Sequence, residues 1–357
     1  MNVRDSEALI GRFVAGGWKL AENYSDADLI LINTCAVRQH AQDRAVGFTR
    51  SLSSLAKNGK KPVIAFLGCV AKADAGRLKK IFTHVDIIAG PAELDKVYAL
   101  VQSKAKSVVA IEDRARDEKF YSTDYTLKPG FAQVVISTGC NNWCSYCIVP
   151  RVRGELICRR PEDIISEVKA NAAKGCGKIT LLGQNVNDYL YKAKGKKADF
   201  VDLLKMAAAV PGVKEIDFTS SHPRNQSIEL FKAMRDLPTV RKHLHMAMQS
   251  GSSRILKAMN RGYTKSKLLG IIKRYRDIIG GTIGTDVIVG YPGETDKDFK
   301  DTVDVIKKAV FDYAYIFMYS PRPGTAAANL ADDVPLVEKK RRHAELLGLQ
   351  RKLAKNK

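Results

Sequence analysis

Cys140, Cys144 and Cys147 stand in a C-x3-C-x2-C spacing within TGCNNWCSYCIVPRVRG, residues 138–154, with an aromatic residue directly before Cys144 (Trp143) and before Cys147 (Tyr146). In a reducing compartment thiols stay free, and clustered cysteines more often bind metal or react than cross-link. Two metal chemistries fit. A structural zinc closes its tetrahedron with four protein ligands, commonly two C-x2-C-like pairs or one pair and two histidines. Here a single pair has that spacing, no histidine lies within 50 residues of the motif, and Cys158, eleven residues past Cys147, is the nearest fourth thiol. An iron-sulfur cluster also prefers four thiolates, so three in one tight loop leave one iron open to a non-protein ligand that can react there. The flank carrying Arg151, Arg153, Arg159 and Arg160 suits anion binding and favours the cluster.

Such a loop needs elements to hold it. Six short apolar runs follow residue 130: FAQVVIST (131–138), KITLLG (178–183), VKEIDFTS (213–220), HLHMAMQ (243–249), IGTDVIVG (283–290) and YAYIFMYS (313–320). Helical patterns separate them, one opening on Pro161 and closing near Gly175, another opened by Thr295 with Asp298 three residues on. Six βα units without hairpin signals predict a partial parallel (βα)6 barrel over residues 131–330. The segments after these runs are polar and glycine-rich, as the carboxyl end of a barrel requires of a site. Among the histidines, His222 at a strand end is the site candidate.

Residues 1–112 read as a separate α/β domain, a doubly wound parallel sheet, from DLILINT (28–34), PVIAFLG (62–68), VDIIAG (85–90) and SVVAIE (107–112). Cys35 and Cys69 follow the first two runs, in loops where such sheets form their crevice. The chain opens on a helical stretch, Asp5 to Trp18, where a strand is expected to come first. Residues 113–130 read as a linker and 331–357 as a basic C-terminal helix. Cys158 and Cys176 read as structural.

The chain has 357 residues, 45% of them hydrophobic and 27% charged, with a net charge of +21 and a pI near 9.6. No apolar run is long enough to span a membrane and no signal peptide precedes residue 20, so a cytoplasmic protein is expected. The charge favours nucleic acid as partner, through phosphate contacts that carry no sequence information. Its densest runs are KAKGKK (192–197), Arg151 to Arg160, and KKRR (339–342).

The three-cysteine loop after the first barrel strand, with Tyr146 before the last cysteine, resembles the radical S-adenosylmethionine (SAM) superfamily. Further stretches extend the likeness to the methylthiotransferases over about residues 2–350: DSEA, ADLILINTCAVR, FLGCVA, ITLLGQNVNDY, MQSGSSRILKAMNRGYT, TDVIVGYPGET and YSPRPGTAA. GQNVN (183–187) and NTCAVR (33–38) resemble the MiaB-type branch, which converts isopentenyl-adenosine in the tRNA anticodon loop to its 2-methylthio form. Alternatives within the family are another tRNA adenosine or a ribosomal-protein aspartate; outside it stands a non-catalytic iron-sulfur or zinc RNA-binding protein.

The resemblance implies that Cys140, Cys144 and Cys147 hold a 4Fe-4S cluster whose open iron chelates the amino and carboxylate groups of SAM. By the same resemblance, a donor such as flavodoxin or ferredoxin would supply an electron, and the cluster with SAM would supply the radical chemistry needed at C2 of the adenine. Tyr146, Gln184, Asn185, Gln249, Ser250, Gly290 and Glu294 are implied to bind the cofactor. A second 4Fe-4S cluster takes three cysteines, of which Cys35 and Cys69 match two. The family's third precedes the position of Met1, so the natural N-terminus is expected upstream, and a C-terminal TRAM domain that grips RNA is expected beyond Lys357.

Overall fold

The computed structural model describes residues 1–37, 39–57, 61–113, 118–123, 125–193 and 195–355. Arg38 of NTCAVR, residues 114–117 and 124 of the expected linker, Lys194 of KAKGKK and residues 356–357 of the terminal helix lie outside the described residues. The chain forms two compact units, Met1–Leu127 with Ile148–Glu155, and Lys128–Cys147 with Leu156–Lys357. The eight residues that follow Cys147 thus fold with the N-terminal part of the chain.

In the first unit, β1 (Leu29–Thr34), β2 (Val63–Gly68), β3 (Ile87–Ala89) and β4 (Val108–Ala110) form one parallel sheet in that order. Strands buried on both faces need continuous apolar runs, and these have them. Ile30, Ile64, Phe66 and Ile88 pack with Val70, Leu78 and Phe82 from the helix Cys69–Ile81 and its end. The intervening Ala65, Leu67, Ile87 and Ala89 are fully buried on the other face. Ile148 and Val152, from the short helix Val149–Arg153 and its start, complete the first of these clusters. The opening helix runs Asn2–Ala15.

The second unit carries β5 (Phe131–Val135), a short antiparallel ribbon of β6 (Ser137–Thr138) and β7 (Ile157–Cys158), β8 (Lys178–Leu182), a hairpin of β9 (Leu190–Ala193) and β10 (Lys196–Asp199), β11 (Glu215–Phe218), β12 (His243–His245), β13 (Thr282–Val289) and β14 (Tyr313–Met318). Two parallel triplets, β5-β8-β11 and β12-β13-β14, meet through parallel bridges at Ile216 with Val240 and Ser221 with Met246. The six strands therefore follow one another in chain order, each followed by helix, as a partial barrel does. Two features depart from the sequence reading. The hairpin occupies the KAKGKK run, turning over Gly195 at φ +77°. The strands also stop short of the apolar runs, because Gly183 and Gly290 start loops.

Helix ends obey their local chemistry. Pro161 opens Pro161–Ala173 at its first turn, where its missing N–H has no intrahelical acceptor to lose, and Gly175 at φ +85° lies just past the end. Thr295 and Asp298 close a reciprocal capping box on Asp296–Ala309.

Candidate cluster and cofactor site

The three-cysteine loop leaves β6 through Gly139, whose φ of +71° is one that a side-chain-bearing residue adopts rarely. It is then pinned at its middle. Ser145 donates its N–H to the Met259 carbonyl over 3.1 Å, and its carbonyl accepts the Ala327 N–H at 2.8 Å. The Ser145 hydroxyl lies 2.9 Å from the Ala258 carbonyl and 2.8 Å from the Tyr291 hydroxyl. The loop is thus held from three later segments of the chain. Cys140 and Cys144 are buried and Cys147 is half-buried. Trp143 points outward at 57% exposure, whereas the half-buried Tyr146 packs beside Ile255, Met259, Tyr291 and Tyr319.

Each buried thiol has a polar neighbour. The Asn142 backbone N–H and side-chain amide lie 3.4 and 3.7 Å from Cys140 Sγ. Burial pushes the Cys140 thiol up, and the two Asn142 contacts pull it back only in part. Arg224 donates to the Asn142 side-chain oxygen. Arg261 is buried; it donates through Nη1 to Cys144 Sγ at 3.3 Å and through Nε to the Tyr263 hydroxyl at 3.4 Å. Asn142, Arg224 and Arg261 were not singled out from sequence, although Arg261 lies inside the MNRGYT stretch that carries the family likeness.

The other expected residues sit at successive strand ends. Gln184 is half-buried and Asn185 buried after β8, where the Asn185 side-chain oxygen accepts the His222 N–H at 3.2 Å. Gln249, at φ +67°, exchanges backbone bonds with Asp286 and Ile288 of β13, and Ser250 beside it is fully buried. Gly290, at φ +70°, donates its N–H to the Glu294 carboxylate over 2.6 Å. Glu294 Oε2 also receives Arg342 Nη1 at 2.8 Å, while its Oε1 is buried with no partner among the described residues. Thus the cysteine loop, Asn185, Gln249, Ser250 and the 290–294 loop all occupy the carboxyl ends of one parallel wall.

The arginines and lysines expected to meet phosphate divide. Arg159 is buried against Glu167 at 2.7 Å, and Arg160 pairs with Asp163 at 2.7 Å. In the KKRR run, Lys339 and Arg342 are buried in ion pairs with Asp332 and Glu294. Arg151 alone of the four flanking arginines has no ion pair among the described residues and is exposed.

In the first unit, Thr34 pairs in register with Gly68, so Cys35 and Cys69 leave neighbouring strands at the same level. The Thr34 hydroxyl ties both ends together, donating to the Leu67 carbonyl at 2.6 Å and accepting the Val70 N–H at 3.3 Å. Asn2 donates to the Thr34 carbonyl at 2.6 Å, and its side-chain oxygen accepts Arg153 at 2.9 Å. Arg153 in turn bonds Asp5 at 2.8 Å, whose other oxygen accepts the Tyr121 hydroxyl at 2.6 Å.

Among the described residues no three His, Cys, Asp or Glu side chains converge on one ion. Among the described residues no helix is long and apolar enough to cross a membrane.

Comparison with known proteins agrees with the fold. The model of the Radical SAM superfamily matches residues 134–306, and that of the Uncharacterized protein family UPF0004 matches residues 1–90. The tRNA-2-methylthio-N(6)-dimethylallyladenosine synthase of Caldicellulosiruptor saccharolyticus is 43% identical over 360 residues, covering 99% of this chain and 76% of its own length. The enzyme of that name from Syntrophomonas wolfei is 40% identical over 358 residues, covering 99% and 80%. Among solved structures, the radical S-adenosylmethionine methyltransferase TsrM from Kitasatospora setae, with cobalamin and a 4Fe-4S cluster bound, superposes with a TM-score of 0.68 at 13% identity, over 91% of this chain and 73% of that one. The cobalamin-dependent radical enzyme OxsB gives 0.55 at 10% identity, over 92% and 48%. At such identities the two structures speak to the fold alone.

Proposed function

The chain belongs to the radical SAM family of tRNA-2-methylthio-N(6)-dimethylallyladenosine synthases, and from that premise we propose that it transfers a methylthio group to C2 of isopentenyl-adenosine in the tRNA anticodon loop. The observation that carries the reading is the three-thiol loop, pinned by Ser145 at the carboxyl end of the first barrel strand, with Arg261 on its middle sulfur. An adenine C2–H is beyond any general base a protein offers near neutral pH; a 4Fe-4S cluster and SAM, when bound, supply the one-electron chemistry that it needs.

In this reading the chain's own residues hold and insulate. Cys140, Cys144 and Cys147 would hold the cluster, leaving one iron for SAM. Tyr146, Gln184, Asn185, Gln249, Ser250, Gly290 and Glu294 would bind the cofactor around that iron. Cys35 and Cys69, aligned by the β1–β2 register, would hold two irons of a second cluster that serves sulfur delivery. In this division of labour residues 1–112 would hold the second cluster and 131–330 the first. A zinc RNA-binding protein would explain the charge but would leave the three-thiol loop without a fourth ligand.

The net charge of +21 supports a tRNA substrate, and the lack of an apolar span among the described helices suits a cytoplasmic site with a soluble electron donor such as flavodoxin or ferredoxin. The reading is tested by expressing the chain in a bacterium lacking its own enzyme of this kind and analysing tRNA nucleosides by mass spectrometry. Appearance of 2-methylthio-isopentenyl-adenosine is expected; its absence beside undiminished isopentenyl-adenosine would contradict the reading.

A further inference from the structure

His222 stands at the carboxyl end of the third barrel strand, and its backbone is fixed from the neighbouring loop. Its N–H lies 3.2 Å from the Asn185 side-chain oxygen and 2.9 Å from that of Asn187, and its carbonyl accepts the Asn187 amide at 3.1 Å. The ring is fixed as well. Nδ1 accepts the Arg224 backbone N–H at 3.0 Å, and the ring packs edge-on against Tyr263 with centroids 5.7 Å apart. A nitrogen that accepts an N–H carries no proton, so in the neutral ring the proton is on Nε2. That Nε2–H is buried, in a residue only 6% exposed, and has no partner among the described residues. Buried donors are nearly always paired, so an unpaired one with a fixed tautomer calls for a ligand.

The surroundings indicate which ligand. Two short lines of contacts join the 222–224 segment to the buried thiols. One runs from the ring to Tyr263, to Arg261 and to Cys144. The other runs from Arg224 through Asn142 to Cys140. Burial first, then the charges of Arg261 and Arg224, lower the His222 pKa to about 2, so the ring is neutral at any working pH. The same two guanidinium groups make the place favourable to an anion. Arg261 is already committed to Tyr263, Cys144 and the Ala247 carbonyl, and Arg224 to Asn142. On the ring itself, His222 Nε2, buried and without a partner among the described residues, is the donor left for an anionic oxygen.

We propose that His222 donates its Nε2–H to the carboxylate of the SAM aminoacyl group, and so fixes that end of the cofactor beside the cysteine loop. This rests on the radical SAM reading of the loop, whose open iron takes the aminoacyl end. It assigns to the third strand the anionic end of the cofactor, leaving the loops at Gln249 and Gly290, on the fourth and fifth strands, for the remainder of the molecule. The N–H donor is neutral, so it orients the carboxylate without adding charge to a region already positive.

The test uses the full chain, reconstituted with iron and sulfide without oxygen. His222→Phe keeps the ring that packs on Tyr263 and removes the donor, His222→Leu removes it by a different side chain, and His222→Gln restores an N–H. Iron content and visible absorbance report the cluster. Equilibrium binding is measured for SAM and for 5'-methylthioadenosine, which has no carboxylate. In whichever of the first two variants retains the cluster absorbance, SAM affinity is expected to fall about tenfold, with most of it recovered in His222→Gln and methylthioadenosine binding unchanged. SAM affinity within twofold of wild type in those variants would overturn the proposal, as would an equal loss for both ligands. Wild-type protein that takes up no cluster would instead overturn the reading on which the proposal stands, and the proposal with it.

Discussion

Arg261 reaches the sulfur of Cys144 from 117 positions further along the chain, its Nη1 donating to Sγ across 3.3 Å. The contact joins the loop after the first barrel strand to a segment following the fourth, and Arg261 also holds the Tyr263 hydroxyl and the Ala247 carbonyl. Arg261→Met strips the Cys144 sulfur and the Ala247 carbonyl of their Arg261 donor in a buried place, while the Tyr263 hydroxyl keeps the Met248 carbonyl. We expect a loss of about 2–4 kcal/mol in stability, because hydrogen bonds to charged groups contribute about 1.5–3 kcal/mol each and buried partners left unpaired are costly. Thermal unfolding measures that loss, and iron analysis should show fewer loaded three-cysteine loops; unchanged iron and unchanged melting would remove Arg261 from the site.

Arg153 and Arg151 lie on the same short helix and should behave oppositely. Arg153 is buried against Asp5 at 2.8 Å, whereas Arg151 is exposed. Removing one partner of a buried ion pair strands the other, so Arg153→Leu should destabilise the protein by about 3–5 kcal/mol. Arg151→Ala should shift stability by less than about 0.5 kcal/mol. Denaturant melts of the two variants decide this, and similar small effects from both would contradict the buried pairing.

Gly68 determines how Cys69 leaves β2. Its φ is +92°, and a Cβ there would stand 2.4 Å from the Asn33 side-chain oxygen and 2.5 Å from the Thr34 carbonyl. Gly68→Ala should cost at least about 1–3 kcal/mol in backbone strain and displace the Cys35–Cys69 alignment. Iron per chain should fall while 5'-deoxyadenosine formation persists. Wild-type iron in the alanine variant would show that the strand ends tolerate the change.

The sequence displayed much of the fold because buried parallel strands read as short β-branched runs between turn residues; each of the ten runs contains a strand. It displayed the cysteine loop because three thiols at that spacing stand out against any background. What it hid are partnerships across long separations. Arg153 reads as a phosphate contact until Asp5, 148 positions away, is seen beside it. Arg159 likewise belongs to Glu167, and the residues Ile148–Glu155 read as a flank of the loop yet fold with the N-terminal part of the chain. The hairpin at 190–199 was hidden by its lysines, which obscure the alternation of a strand pair.

The proposal that Cys140, Cys144 and Cys147 hold the cluster that cleaves SAM stands or falls on one reaction. It is tested most directly by incubating anaerobically reconstituted protein with dithionite and SAM and quantifying 5'-deoxyadenosine, for the wild type and for Cys144→Ala. The wild type should turn over SAM and the variant should lose at least about a hundredfold, since a cluster held by two thiolates is no longer securely ligated. Equal yields from the two proteins would contradict it.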